Sequence, residues 1–276
     1  MRITRRTSIR LMGLSVGLPL PAASTAVPIR LRSRVELFKG SNVWNEVTLT
    51  DSFKPTQSAV LICDMWDNHW CSGATKRVGT LAKSMAQVLE KARKAKIQVI
   101  HAPSDVMDFY EDYPQCQFMK QFAANRVEPG LMLTDPPLPI DDKQGGCDTG
   151  ESTYKAWKRQ HSGIPMEAGD VISDKGAEIQ GLLRLRGIDT LFVMGVHTNM
   201  CILNRTFAIK QMTKWGFRCI LVRDLTDAMY DPKASPFVSH EQGTELVVQH
   251  IEKYWCPTTL SADFTKALAT SHPLRK

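Results

Sequence analysis

The feature that most limits what this chain can fold into is a set of short, wholly apolar runs that each end in a polar or charged residue. Leu191 to Val196 is one, closed by His197-Thr198-Asn199-Met200 and then Cys201. Ser58-Ala-Val-Leu-Ile-Cys63 is another, ending in Asp64, and Arg218-Cys-Ile-Leu-Val ends in Arg223-Asp224. Runs this short with no polar face suit strands buried on both sides, as in a parallel sheet. Between them lie amphipathic stretches. Val78, Leu81, Met85, Val88, Leu89 and Ala92 recur at helical steps within residues 78–95, and Lys96 to His101 then gives the next strand. Glu178 to Arg186 reads as a helix stopped by Gly187, and Glu245 to Glu252 as a last helix stopped by Trp255-Cys256-Pro257. Strands alternating with helices, and no hairpin signal, predict a three-layer α/β/α fold with a mainly parallel sheet and helices on both faces.

Ile202, Phe207, Ile209 and Met212 predict one helix from Cys201 to about Trp215. A strand turning sharply into that helix sets Cys201 at its N-terminus, where unpaired amides and the helix dipole would favour a thiolate. A buried structural cysteine is the competing assignment.

The chain has 276 residues and a formal charge of +7. Seven arginines, from Arg2 to Arg34, lie in a stretch without acidic residues and account for the whole excess, so no basic face and no nucleic-acid partner is implied. Arg5-Arg6, the apolar Leu11 to Leu20 and a small-residue end at Ala26 read as an export signal over 1–26, resembling the twin-arginine type. The mature protein is expected to be periplasmic or secreted, with no membrane association after signal cleavage. Residues 27–57 read as an extended lead-in, 58–260 as the main domain and 261–276 as a C-terminal tail. Within the domain, 102–168 breaks the rhythm with Pro, Asp, Gly and several aromatics, and is expected to pack as an insertion over the site. The seven cysteines (63, 71, 116, 147, 201, 219 and 256) form no CxxC pair, so no zinc ribbon is indicated and no disulfide can be assigned by spacing.

Open parallel sheets carry their sites at the carboxyl ends of the strands. Here those ends deliver Asp64, His101, the Ser173–Lys175 turn and the 195–201 turn. A carboxylate that accepts the thiol proton and an ammonium that stabilises the resulting charge would make Cys201 a nucleophile. Asp64 is then the base, Lys175 the electrostatic partner, and amides of the 197–201 turn the oxyanion donors.

Leu61-Ile-Cys-Asp-Met-Trp-Asp67, Gly169-Asp-Val-Ile-Ser-Asp-Lys175 and Met194-Gly-Val-His-Thr-Asn-Met-Cys-Ile202 together resemble the isochorismatase-like cysteine hydrolases, which include nicotinamidases and N-carbamoylsarcosine amidohydrolases. The resemblance covers roughly residues 58–230. It implies an Asp64–Lys175–Cys201 triad, a cis peptide before His197 and an oxyanion hole from the His197 and Cys201 amides. It also implies a small-molecule substrate and admits a homo-oligomer. The last part of the chain resembles an exported branch of the family.

Three departures stand out. Trp66 replaces the glutamine usual after the Asp-Met pair. The stretch after Lys175 is shorter than in relatives, which opens the triad position to Asp174 or to another lysine. The Asp-x-His of nicotinamidases is incomplete at Asp105, and Asp67, His69 and His101 offer other ligands. The reading assigns no metal and no cofactor. It gives hydrolysis of a small amide or related C–N bond through a thioester, against vinyl ether hydrolysis of the isochorismatase type or a non-catalytic binding protein on the same fold.

Overall fold

The computed structural model describes residues 25–270 apart from 124–126 and 128–129. The expected export signal lies outside the described residues except at its last two positions. No helix among the described residues is long and apolar enough to cross a membrane.

The three expected apolar runs form the centre of one eight-stranded sheet. Strand β1 (Val27–Glu36) and β2 (Trp44–Phe53) make a hairpin, followed by β3 (Ser58–Cys63), β4 (Gln98–Ala102), the two-residue β5 (Val171–Ile172), β6 (Thr190–Val196), β7 (Arg218–Asp227) and the short β8 (Thr258–Thr259). Their order across the sheet is β2-β1-β8-β7-β6-β3-β4-β5. From β8 to β5 every pairing is parallel, and β1 is antiparallel to both β8 and β2. The sheet therefore reverses its winding between β3 and β6, which lie side by side in register from Ser58↔Thr190 to Cys63↔Gly195.

Alternation along β3 shows why the run had to be apolar throughout. Ala59, Leu61 and Cys63 enter one core, and Val60 and Ile62 enter the other. The second core is closed by α1 (Ser72–Lys94) and α7 (Ser261–Thr270), through Val78, Met85 and Leu89 of α1 and Phe264 of α7. On the opposite face lie α2 (Pro114–Lys120), α3 (Gly176–Leu185), α5 (Ile209–Lys214) and α6 (His240–Tyr254), with Met119, Ile179, Met212 and Val247 buried. This is the expected three-layer arrangement. Helix α6 starts on a capping box in which Ser239 and Gln242 satisfy each other's backbone amides.

Two segments differ from their sequence-based assignment. Residues 27–57 are the β1–β2 hairpin: Val27, Ile29 and Leu31 fill the α1/α7 core, while Arg32 and Arg34 pair with the buried Glu252 of α6 at 2.6 and 3.3 Å. Arg32 and Arg34 thus serve a buried carboxylate, and the connection between the strands turns through Gly40 (φ +84°) and Asn42 (φ +54°) in a loop longer than the two-residue hairpin signal. Most of the expected tail is α7, whose Phe264, Ala267 and Leu268 are buried in the same core.

Where β6 passes β3, the backbones nearly touch. Gly195 has φ +125°, and a Cβ there would collide with the carbonyl oxygen of Cys63. Gly187 also has a positive φ (+62°), but it faces open space. Gly195→Ala is expected to cost about 3 kcal/mol or more, and Gly187→Ala about 1 kcal/mol, because only the first adds a steric clash to the backbone penalty. Denaturant unfolding of the two variants checks the difference; equal losses would contradict it.

Candidate active site

Asp64 and Cys201 follow the adjacent strands β3 and β6, at the point where the winding reverses and a crevice opens. Asp64 is fully buried and takes a left-handed backbone (φ +47°), which turns its carboxylate back over the strand end. Its Oδ1 accepts the Ser104 amide at 2.6 Å, and its Oδ2 accepts Arg205 Nε at 3.0 Å. The Cys201 sulfur faces the same carboxylate, and the two groups shift each other's pKa. Burial pushes the Asp64 carboxyl above its ordinary range, and Arg205, Cys201 and Ser104 pull it back by bonding the charged form.

Arg205 is the residue that sequence reasoning missed. The expected single helix after Cys201 is two short ones, α4 (Cys201–Asn204) and α5, and Arg205 caps the first in an extended conformation (φ −62°, ψ 153°). It lies one turn beyond Cys201, so its guanidinium reaches Asp64 with Nε and Asp105 with Nη2, both at 3.0 Å. Burial alone would lower its pKa, but the charges of Asp64 and Cys201 prevail and raise it. The signal was present as an i, i+4 spacing of Cys201 and Arg205.

Lys175 is not brought into this centre. It caps the start of α3, its side chain is 69% exposed, and its Nζ lies 3.5 Å from Glu178 Oε1. Glu178 is held in turn by Ser173 Oγ at 2.6 Å. The next residue, Gly176, donates to Thr206 Oγ1 at 3.0 Å, and a Cβ there would strike the Thr206 carbonyl. The start of α3 is thereby pressed against the chain just past Arg205, whose cation already occupies the position beside Asp64. Asp174 accepts the Asp105 amide and is raised mainly by burial.

The thiol itself departs from the expectation of a dipole-stabilised thiolate. Helix α4 has four residues and contributes little dipole. Burial and then the Asp64 charge push the Cys201 thiol well above its ordinary value; Arg205 and the backbone N–H of His197 oppose them. At neutral pH the sulfur therefore rests as a thiol beside Asp64. The Val196–His197 peptide is cis, and the His197 amide is directed at the Cys201 sulfur. Asn199 locks this turn: its amide donates to Asp142 Oδ2 and to the Met229 carbonyl, and its oxygen accepts the Met229 amide at 2.9 Å.

An aromatic roof covers the sulfur. The insertion returns along the loop after β3, with Asp67 donating to the Arg159 carbonyl and His161 to that of Met65, and so lays Trp157 on Trp66. Their ring centroids are 4.4 Å apart, 15° from parallel, and His69 stacks on Trp157 at 5.5 Å. His69 also meets the ring of His197 edge-on at 4.9 Å. Trp66 is fixed through Nε1 to the Ser104 carbonyl at 2.9 Å. The insertion's aromatics therefore split: Trp157 faces the site, Tyr110 is buried under Gln160, and Phe109, Tyr113 and Tyr154 are exposed. Three buried polar atoms near the sulfur lack a partner among the described residues: Ser104 Oγ, Trp157 Nε1 and His197 Nε2.

The alternative metal ligands are engaged elsewhere. Asp67 accepts the amides of Lys158 and Arg159, Asp105 pairs with Arg205, and buried His101 bridges Gln160 and Asp170.

With this geometry, the comparison with known proteins is direct. A family model described as the isochorismatase domain matches residues 58–239. The chain belongs to the isochorismatase family. Among curated proteins, none matches it by sequence. Solved structures share its fold. A cysteine hydrolase from Pseudomonas syringae pv. phaseolicola 1448A is 18% identical, with a TM-score of 0.51 over 80% of this chain and 96% of that one. A putative isochorismatase from Burkholderia xenovorans LB400 is 15% identical, with a TM-score of 0.49 over 80% and 91%. The N-carbamoylsarcosine amidase of Thermoplasma acidophilum is 14% identical, with a TM-score of 0.42 over 74% and 96%.

In this isochorismatase-like hydrolase, the roof histidine has a pH signature. Burial, aided by the Arg77 charge, lowers His69 from 6.5 to about 4. Between those values the unfolded chain binds a proton that the folded chain does not, so stability falls as pH drops through the window. His250, lowered to about 4 chiefly by burial, acts with the same sign. His69→Phe is expected to lose less stability than the wild type between pH 6.5 and 4, by on the order of 1 kcal/mol after solvent screening. Melting temperatures across that range check it; parallel curves would contradict it.

Proposed function

We propose that the protein hydrolyses a small amide or related C–N bond through a thioester on Cys201, with Asp64 as the proton carrier and Arg205 as the cation of the centre. The observation that supports this most is the buried Asp64 carboxylate, which faces the Cys201 sulfur and is bonded to Arg205 Nε. A carboxylate whose pKa is raised by burial, next to a thiol raised further, suits proton transfer that accompanies attack rather than precedes it.

In the first half-reaction Asp64 takes the thiol proton as the sulfur adds to the substrate carbonyl carbon. The amides of His197 and Cys201 receive the oxyanion. Asp64 then gives its proton to the departing nitrogen, the C–N bond breaks, and an amine or ammonia leaves a thioester. In the second half, water adds to the thioester carbonyl while Asp64 takes its proton. Collapse releases the acid, and the proton returns to the sulfur. Arg205 favours the charged form of the carboxylate before each proton transfer and keeps it in line with the sulfur.

The roof of Trp66, Trp157 and His69 suits a small, flat acyl group, and the unpartnered Ser104 Oγ, Trp157 Nε1 and His197 Nε2 offer it polar contacts. His197 is lowered well below its ordinary value by burial and so meets the substrate as a neutral ring.

Steady-state hydrolysis of a panel of small amides tests the proposal. Cys201→Ala is expected to remove turnover, Asp64→Asn to lower kcat by about a thousandfold or more, and Arg205→Ala by about a hundredfold. Normal turnover in the Cys201→Ala protein would end the thioester reading.

A further inference from the structure

Apart from the Cys201 centre, one cluster of ligating side chains stands out. Cys71 closes the loop before α1, and Cys147 and Asp148 lie in the returning half of the insertion; their Sγ and carboxylate donor atoms all lie within 4.8 Å of one another. Cys71 Sγ is 3.4 Å from Asp148 Oδ1, and Cys147 Sγ is 3.2 Å from Glu151 Oε2. Tetrahedral zinc, with bonds of about 2.3 Å to sulfur and 2.0 Å to oxygen, sets neighbouring donors roughly 3.3–3.8 Å apart. The two sulfur–oxygen spacings are already close to such edges.

We propose that Cys71, Cys147 and Asp148, completed by Glu151, bind one soft divalent cation of the zinc type. Both thiols are buried, and each lies within hydrogen-bond distance of a carboxylate and of Thr149 Oγ1. Carboxylates disfavour a bare thiolate pair, whereas a dication turns the same crowding into attraction. Binding replaces two thiol protons with one metal ion, M²⁺ + 2 RSH → M(SR)₂ + 2 H⁺, so affinity rises with pH.

The surroundings are built to hold these donors. Arg77 holds both oxygens of Asp148, Nη1 on Oδ2 at 2.6 Å and Nη2 on Oδ1 at 3.2 Å, and so fixes Oδ1 beside Cys71, while Arg77 Nε is anchored on Asp227 at 2.8 Å. Ser72 Oγ donates to Glu151 Oε1 at 2.5 Å, and Thr149 Oγ1 donates to Glu151 Oε2. Gly73 is required beside them, since a Cβ there would run into the Asp148 carboxylate. The cluster packs on Trp70 and Met229 and reaches Trp157 and Met200. A bound ion would therefore staple the insertion to the start of α1, next to the roof over Cys201, without touching the reacting atoms.

Cobalt(II) titration of the reduced full-length chain tests this. The expected result is one cobalt per chain by native mass spectrometry, with a thiolate-to-cobalt charge-transfer band and the strong visible absorption of four-coordinate cobalt. Cys71→Ser and Cys147→Ser should each weaken binding by about a hundredfold or more, whereas Cys116→Ser should leave it unchanged. Should those variants fold poorly, alkylation mapping of the wild type with and without zinc decides: Cys71 and Cys147 should be protected by the ion. No thiolate band, equal alkylation with and without zinc, or ready closure of a Cys71–Cys147 disulfide in place of metal uptake would overturn the proposal.

Discussion

The site rests on one buried charge pair. A carboxylate with no exposure, such as Asp64, is costly unless a cation and hydrogen bonds satisfy it. Arg205 and the Ser104 amide do so, and the Cys201 sulfur lies beside them. Removing the cation would raise the Asp64 pKa further, and a protonated Asp64 could not take the thiol proton. The bond between Asp64 and Arg205 thus fixes the position of both groups and the protonation state of one.

The fold delivers that pair through a close approach of backbones. Strands β3 and β6 are neighbours where the winding reverses, and Gly195 lets them come near enough for the turn carrying His197 to Cys201 to face Asp64. Two separate cores, one on each face of the sheet, hold the strands rigid from both sides. The insertion adds the roof, tied down by Gln160, which accepts from or donates to His101, Tyr110 and Ile164. Rigid strands thus support the reacting groups, while loops supply what surrounds the substrate.

The strands were legible because burial on both faces leaves an unmistakable apolar run, and Asp64 and Cys201 were candidates because they follow two adjacent runs and sit in motifs of the family. The cation was not legible in this way: Lys175 also ends a strand, but the tight docking of Gly176 on Thr206 turns its side chain outward to Glu178. Arg205 lay hidden inside what looked like a continuous helical stripe, since nothing in Ile202 to Met212 announces the break after Asn204. The β1–β2 hairpin was equally veiled. Its outer strand is mostly exposed, so it lacks the apolar signature of the inner ones, and the arginines of β1 could be matched to Glu252 only in three dimensions.

The central claim is that Arg205, rather than Lys175, serves the Asp64–Cys201 pair. Acid-quenched intact-protein mass spectrometry, with small amides as substrates, tests it most directly by reading the acyl adduct on Cys201. The account predicts that Lys175→Ala accumulates the adduct at the wild-type rate and that Arg205→Ala forms it at least about tenfold more slowly. An adduct lost in Lys175→Ala but retained in Arg205→Ala would contradict it.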